Sequence, residues 1–409
     1  MTLAEVADLP LAPGDEVLFQ RGGVWRGTLL LKGGVAGNPV RYGAFGDGAA
    51  PMLMASADAS RPENWENAGN GLWRLALDIA EDVGAMWFDG EAAIGFKKDA
   101  LADIADDLDF HCDRKAHATL LKSAENPAER FGSIELALGM HGLSLCRQSG
   151  VVIDGLHIRG AGHHGFSASE VRDVTIRNCT FDRIGGGELY VTPEGVHVRY
   201  GNAIEFWGDA EDILVESNVI DQIYDAALTH QCGTPTVNRN IVWRGNRVSR
   251  VEYSYEYWQQ GEGSVTEGVL VEGNVFDKAG YGFGHAQRWN PNAGHLIIQD
   301  TTARTSDFVI RNNTFGVSKD RGLRLFNDWK GEFKLADNDW RLEPGSIFCQ
   351  YHGRPGELSA LRHLYPGYAD TRHIDSVAEI EEGSRHPALY RETPEDVSRF
   401  LRDFGLQSR

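Results

Sequence analysis

The chain has 409 residues, 42% of them apolar and 24% charged, which is typical of a globular protein with a substantial core. Its net charge of −19 argues against nucleic acid or an anionic membrane as a partner, and no segment reaches transmembrane length. The five cysteines show no CxxC spacing, so we expect buried free thiols rather than a zinc site or a disulfide framework.

The first residues, MTLAEVADLPLAPGDEV, lack the basic and then apolar segments of a signal peptide. Two localisations are therefore compatible with the sequence. The protein is extracellular or periplasmic if its N-terminus has been trimmed, and cytoplasmic otherwise.

Residues 56–140 differ in character from the segments on either side. They contain the aromatic stretches PENWENAGNGLW and MWFDGEAAIGFKK and the polar, helix-like stretch DALADIADDLDF. We interpret them as an inserted α/β subdomain that packs beside the main body of a single domain spanning residues 1–409.

Residues 141–354 repeat one frame: an alternating apolar strand, an asparagine, a short apolar pair, a turn and a second strand. The frame aligns Asn218, Asn246, Asn274 and Asn313, and Cys179 takes the same place upstream. Stacked coils bury a continuous core that one repeat cannot bury alone, and an internal asparagine can bond to its counterpart in the next coil. An antiparallel sandwich also has many short strands but rarely keeps so constant a frame. We predict an all-β fold, a right-handed parallel β-helix.

The tail, residues 355–409, changes to a helical pattern in TPEDVSRFLRDFG. Thr393 is the expected N-cap, Pro394 the first helical residue and Gly405 the stop. Because the open end of a solenoid exposes strand edges, we expect this segment to form a C-terminal helical cap over the last coil.

The stretch LAPGDEVLFQRGGVWRGTLLLKGGVAGNPVRYGAFGDGAAP and the coils over residues 140–330 resemble bacterial β-helix carbohydrate-active enzymes of the pectate-lyase-like superfamily. The resemblance implies the fold and action on a polysaccharide or oligosaccharide. It leaves the reaction open, because that superfamily includes lyases, hydrolases, epimerases and phage tailspikes. The calcium-binding aspartates of pectate lyases are missing, as is the hydrolase pattern of paired aspartates followed by GHG. No cofactor motif is present. The sequence leaves open whether the groove binds a calcium ion, and it does not determine the oligomeric state.

Counting from the aligned asparagines predicts which columns of the last strand face outward. Eight residues after the aligned asparagine the side chains are small: Ala226, Ser254 and Gly282. Small side chains suit a narrow interior, so the tyrosines on either side of them should face solvent. We expect such an exposed aromatic face to stack on sugar rings, unless the inserted subdomain or another subunit covers it. The expected substrate-binding residues are Tyr253, Tyr255, Tyr257, Tyr281, Gln287, Arg288, Arg324, His164, His230 and Lys98.

Candidate acid and base groups come from the same strands. Glu205 in NAIEFWG aligns with Glu256 in YSYEYWQ, two coils and therefore about 10 Å away. Each is either buried and hydrogen-bonded or turned outward by a bulge. Asp225 is placed in an outward column between them and is the best single catalytic candidate. His285 completes the candidate catalytic set.

Three functions fit these residues. A glycoside hydrolase would use Asp225 with Glu205 or Glu256 as acid and base. A polysaccharide lyase would act by β-elimination on a uronate, with catalytic groups drawn from His285, Tyr257, Arg288, Arg324 and Lys97 or Lys98. A non-catalytic glycan-binding protein would need only the aromatic face. We expect a hydrolase first and a lyase second.

Overall fold

The computed structural model describes residues 1–299, 303–326, 331–341, 347–352 and 390–391. Within this part the main body is a parallel β-helix: each coil contributes one strand to each of three sheets, and successive coils pair in parallel register. The predicted right-handed parallel β-helix is confirmed.

Three lists give the strands. Sheet 1 consists of Glu16–Gln20, Val40–Phe45, Ser149–Asp154, Val171–Arg177, Ala210–Glu216, Val237–Arg244, Val265–Glu272, Arg304–Arg311 and Gly331–Ala336. Sheet 2 consists of Val24–Arg26, Met52–Met54, His157–Arg159, Thr180–Ile184, Val219–Ile223, Arg247–Val251, Val275–Ala279, Thr314–Phe315, Asp339–Trp340 and the antiparallel Tyr390–Arg391. Sheet 3 consists of Leu29–Leu30, Leu143–Cys146, Phe166–Ser169, Ile204–Trp207, Ala226–Cys232, Tyr253–Gln259, Gly294–Ile298, Arg321–Phe326 and Ile347–His352.

The turn from sheet 1 to sheet 2 carries the predicted asparagine ladder. The Asn218 side chain donates from Nδ2 to Oδ1 of Asn246 at 3.0 Å, and Asn246 donates in the same way to Asn274 at 3.0 Å. Asn274, Asn313 and Asn338 continue the chain of bonds. Each asparagine follows a residue with a left-handed backbone, which makes the tight turn: Ser217, Gly245, Gly273, Asn312 and Asp337.

Residues 56–138 leave the coils and form two further sheets. One contains Ser56–Asp58, Val83–Phe88, Ala93–Ile94 and Ile134–Leu138, and the other contains Trp65–Gly69, Leu72–Leu75, Phe96–Lys97, Asp109–Asp113 and Ala118–Lys122. They enclose a core of their own. The segment 99–110, expected to be helical, supplies only the 3₁₀ turn Leu101–Asp103 and the start of a strand.

Helices are few among the described residues: Leu3–Ala7, Pro127–Arg130 and Phe283–Gln287, with 3₁₀ turns at Pro62–Asn64 and Leu101–Asp103. The N-terminal helix has a capping box, in which Thr2 and Glu5 bond to each other's backbone. The hairpin Gly187–Val191 and His197–Tyr200 projects between sheets 2 and 3. The predicted C-terminal helix around Thr393 lies outside the described residues.

Candidate active site

The outer face of sheet 3 carries two glutamates in one column. Glu205 pairs in register with Thr229, which pairs with Glu256 in the next coil. Two strand spacings of about 4.8 Å separate the Cα atoms of the glutamates by about 10 Å. Trp207 and Trp258 follow two residues later and therefore point to the same side, with ring centroids 5.4 Å apart. The repeated motifs EFW and EYW thus build one surface from two coils.

Three donors hold the Glu205 carboxylate. Asn202 and Gln231 donate to Oε2 at 2.6 and 2.9 Å, and Nε2 of His164 lies 3.1 Å from Oε1. The His164 Nδ1 atom accepts from the backbone N–H of Asn202, which leaves the ring proton on Nε2 to donate to Glu205. Burial favours the neutral acid, but these donors outweigh burial and lower the pKa of Glu205. Glu205 is therefore an ionised, fixed carboxylate.

Glu256 has the opposite environment. Burial is the largest cause, and together with the nearby Asp225 charge it raises the pKa of Glu256 to about 8. Gln299 donates a hydrogen bond to Oε1, which only partly offsets these effects. The Glu256 side chain consequently keeps its proton at neutral pH.

Asp225 lies in the turn directly before the strand Ala226–Cys232, not within a strand as the sequence suggested. Arg288 donates to Asp225 Oδ1 at 3.0 Å and to the Tyr224 carbonyl at 3.1 Å. The guanidinium also lies over the Tyr224 and Tyr253 rings, 5.3 and 5.4 Å from their centroids. Burial raises the pKa of Asp225, and the Arg288 charge opposes that rise. Asp225 and Glu256 thus form a close acidic pair beside one arginine.

In the part of the chain that the structure describes, two cavities adjoin these carboxyl groups. The first, of about 560 Å³, is lined by His164, Leu189, Tyr190, Val198, Arg199, Tyr200, Asn202, Glu205, Trp207, Tyr224, Asp225, Gln231, Glu256, Trp258, Arg288, Trp289 and Asn290. The second, of about 360 Å³, is lined by Asp225, Tyr253, Glu256, Arg288, Asn290, Asn292, Ile297, Gln299 and Arg324. We call them the aromatic cavity and the polar cavity.

The inserted subdomain fixes one wall of the aromatic cavity. Its Asp82 forms a buried ion pair with Lys97 at 2.6 Å and accepts from the Glu188 backbone N–H at 2.7 Å, at the start of the hairpin. Arg199 of the hairpin donates to the carbonyls of Gly84 and Gly186 at 3.2 and 2.8 Å. The subdomain therefore positions the hairpin that carries Leu189, Tyr190 and Tyr200 to the cavity.

The structure brings seven of the sequence-predicted residues to the cavities: His164, Glu205, Asp225, Tyr253, Glu256, Arg288 and Arg324. Three others face the interior of the solenoid, so the expectation that they face outward is wrong. Tyr255, Tyr257 and His230 are 0% exposed. Tyr257 donates to Thr266 Oγ1 at 2.8 Å, and burial lowers the pKa of His230 to about 3.

The physical reason is a register difference of one residue. Thr229 stands eleven residues after Asn218, whereas its partner Glu256 stands ten residues after Asn246. A count of fixed length from the asparagine therefore assigns interior residues of the strand Tyr253–Gln259 to its outer face, and outer residues to the interior.

Four further candidates line neither cavity. His285 bonds through Nδ1 to Glu252 at 3.1 Å, and Lys98 forms an ion pair with Asp109 at 3.2 Å. Gln287 donates to the Gly95 carbonyl at 3.0 Å, and so ties its helix to the subdomain. Tyr281 is 42% exposed beside Lys319, at another part of the surface. The predicted roles of His285, Lys98, Gln287 and Tyr281 in the site therefore lack support from geometry.

Sequence reasoning missed much of the aromatic wall. Trp207 and Trp258 could have been found, because each lies two residues after an aligned glutamate on the same face of a strand. Trp289 and the hairpin residues carry no repeat signal, since they come from loops between coils. Only the folded structure brings Trp289 and the hairpin residues to the wall of the aromatic cavity.

Among the described residues, no group of three or more His, Cys, Asp or Glu side chains is arranged to hold a metal ion. No helix within the same part of the chain is long and apolar enough to span a membrane.

Comparison with known proteins concerns the fold. Residues 141–339 match the family model described as the right handed beta helix region. The matched residues are coils of the β-helix described above. A search of curated proteins finds no match to the sequence.

Similar solved structures include XylC in complex with xylose, at 10% identity and a TM-score of 0.44, covering 86% of this chain and 68% of XylC. A protein titled glycoside hydrolase is 9% identical with a TM-score of 0.47, covering 84% and 88% of the two chains. An alginate lyase from Paenibacillus sp. str. FPU-7 is 12% identical with a TM-score of 0.42, covering 86% and 96%. The fold rests on the coils themselves and on the family match, and the chemistry is argued from the site.

Proposed function

We propose that this protein is a glycoside hydrolase that cleaves a neutral oligosaccharide or polysaccharide with Glu256 as the general acid and Glu205 as the general base. One observation carries the proposal. Two glutamates on one cavity wall have pKa values shifted in opposite directions, to about 8 for Glu256 and downward for Glu205. Such a divergence assigns the proton donor and the ionised partner of an acid–base pair.

The reaction follows from these two protonation states. Glu256 gives its proton to the glycosidic oxygen as the bond to the anomeric carbon breaks. Glu205 takes a proton from a water molecule, and the resulting hydroxyl group bonds to the anomeric carbon. Side chains in one column of a parallel sheet point the same way, so we expect the two carboxyl groups to lie nearer the inverting separation of about 6.5–9.5 Å, which leaves room for that water, than the retaining separation of about 5–5.5 Å. Asp225 contributes by keeping Glu256 protonated before the reaction.

The cavity favours an uncharged sugar. Trp207, Trp258 and Trp289 offer aromatic faces to the C–H faces of a sugar ring. Both arginines of the aromatic cavity are engaged: Arg288 with Asp225, and Arg199 with backbone carbonyls. A uronate carboxylate in this cavity would instead lie near the ionised Glu205, where like charges repel.

The same geometry disfavours elimination. Of the groups suggested for a lyase, Tyr257 is inside the solenoid, His285 bonds to Glu252, and Lys98 pairs with Asp109. Burial raises the pKa of Tyr200, which does line the cavity, to about 12 and makes it a poor base at neutral pH. By contrast, Glu205 and Glu256 both line the aromatic cavity, and each has the protonation state that its proposed role needs.

The test is digestion of a panel of plant, algal and bacterial polysaccharides, read for new reducing ends and for absorbance of an unsaturated uronate. We expect reducing ends without absorbance, and proton NMR should show the inverted anomer first. Absorbance together with reducing ends would make the protein a lyase. No product from any polysaccharide would contradict the proposal and favour a non-catalytic glycan-binding protein.

A further inference from the structure

The two cavities share a boundary formed by four residues. Asp225, Glu256, Arg288 and Asn290 line both of them. Glu205, however, lines only the aromatic cavity. The acid is therefore at the boundary, whereas the base is on one side of it.

The cavities also differ in chemistry. Trp207, Trp258 and Trp289 provide broad rings to the aromatic cavity. Among the described residues that line the polar cavity there is no tryptophan, and its polar side chains include Tyr253, whose hydroxyl donates to Oδ1 of Asn292. One cavity suits the stacking of a sugar ring, and the other suits hydrogen bonds to hydroxyl groups.

We propose that the substrate lies across this boundary in one direction only, with the sugar that is attacked in the aromatic cavity and the leaving sugar in the polar cavity. This inference rests on the proposed function. A general base must reach the anomeric carbon of the attacked sugar, and Glu205 reaches only the aromatic cavity. A general acid must reach the glycosidic oxygen between the two sugars, and Glu256 lies there.

The orientation predicts which product leaves from which side. The new reducing end forms in the aromatic cavity, and the sugar that receives the proton from Glu256 forms in the polar cavity. The polar cavity then determines which leaving sugar is accepted, whereas the aromatic cavity determines which glycosyl group is transferred to water.

The direct test is a crystal structure of the Glu256→Gln variant with the shortest neutral oligosaccharide that the wild-type enzyme cleaves. We expect sugar density in both cavities, with the anomeric carbon of the cleaved bond beside Glu205. The opposite chain direction, or density confined to the aromatic cavity, would overturn the inference.

A kinetic test uses the same oligosaccharide and the glycosyl fluoride of its attacked sugar, which has no leaving sugar. The Asn292→Ala variant should lose about tenfold in kcat/KM on the oligosaccharide and less than twofold on the fluoride. The Trp258→Ala variant should lose activity on both substrates. Equal losses for Asn292→Ala on the two substrates would contradict the assignment. If the wild-type enzyme hydrolyses no neutral oligosaccharide at all, the proposed function fails instead, so the two failures are distinguishable.

Discussion

The two faces of one strand in sheet 3 have opposite roles. In Tyr253–Gln259, the side chains of Tyr255 and Tyr257 are packed in the solenoid interior, whereas Glu256 and Trp258 line a cavity on the outside. The strand thus places a core aromatic and a candidate catalytic acid on adjacent residues. In this strand, residues that stabilise the fold and residues proposed for chemistry are separated by strand alternation rather than by distance along the chain.

The largest expected effect is on the outer face. Glu256→Gln removes the acid proton but keeps the shape, so kcat should fall by about 10²–10⁴-fold, the usual contribution of a positioned acid. Thermal unfolding and circular dichroism of the variant should match wild type. The isosteric change Glu216→Gln, at a sheet 1 carboxylate that pairs with Arg244 and lines neither cavity, is the matched control and should retain most activity. Wild-type turnover by Glu256→Gln would contradict the role of Glu256.

The adjacent interior residue should show the reverse. Tyr257→Ala removes a fully buried ring and should lower the free energy of unfolding by about 3–5 kcal/mol. Chemical denaturation measures this directly. The milder Tyr257→Phe keeps the ring and loses the hydroxyl contacts with Thr266 and Thr305, so about 1 kcal/mol is expected. A Tyr257→Ala protein as stable as wild type would mean that the two faces have been assigned the wrong way round.

The pH dependence sharpens the outer-face assignment. Glu256 must be protonated to act, so kcat/KM should fall tenfold per pH unit above its pKa of about 8. Between pH 7 and pH 10 the loss should be about hundredfold. The lowered pKa of Glu205 places the acid limb below the ordinary glutamate value of 4.5, where protonation removes the base. In Glu256→Gln the alkaline limb should disappear; its persistence would assign that limb to another group.

The asparagine ladder tests the interior at another position. Asn246→Ala breaks the bonds to the Asn274 side chain and to the Val215 carbonyl, and it removes the acceptor of the Asn218 backbone N–H and one of the two acceptors of the Asn218 side-chain amide. We expect a loss of about 1–3 kcal/mol in unfolding free energy. The exposed control Glu267→Gln should change stability by less than about 1 kcal/mol. Equal effects of the two variants would show that the ladder contributes little.

The smallest effect expected is on sugar stacking. Trp258→Ala removes one aromatic face and should weaken substrate binding by about 1 kcal/mol, about fivefold in KM. Because Trp258 is partly exposed, unfolding free energy should change little. A large loss of stability with unchanged KM would place Trp258 with the interior residues.

Sequence reasoning reached the fold because the repeat determines it. The aligned asparagines Asn218, Asn246, Asn274 and Asn313 bond to each other in the order that the alignment predicted. Each asparagine occupies the same tight turn between sheet 1 and sheet 2, so each of these coils places one asparagine at that turn. The β-helix was predictable for that reason.

The site was only partly predictable because its residues follow turns of unequal length. The motif match of Glu205 with Glu256 gave the right column, since it used neighbours on the strand itself. Counting from the asparagines failed for Tyr255 and Tyr257, since one extra residue before a strand reverses its faces. In the repeat that begins at residue 268, the aligned positions form the helix Phe283–Gln287, and the sheet 3 strand comes later, at Gly294–Ile298.

The central claim is that Glu256 is the proton donor on the outer face of sheet 3. It is tested most directly by kcat/KM of Glu256→Gln and Glu205→Gln on aryl glycosides whose leaving groups span a range of pKa. An acid is needed least when the leaving group is already a good one. We predict that Glu256→Gln approaches wild type as the leaving group improves, while Glu205→Gln stays uniformly impaired. A loss in Glu256→Gln that is the same for every leaving group would contradict the account.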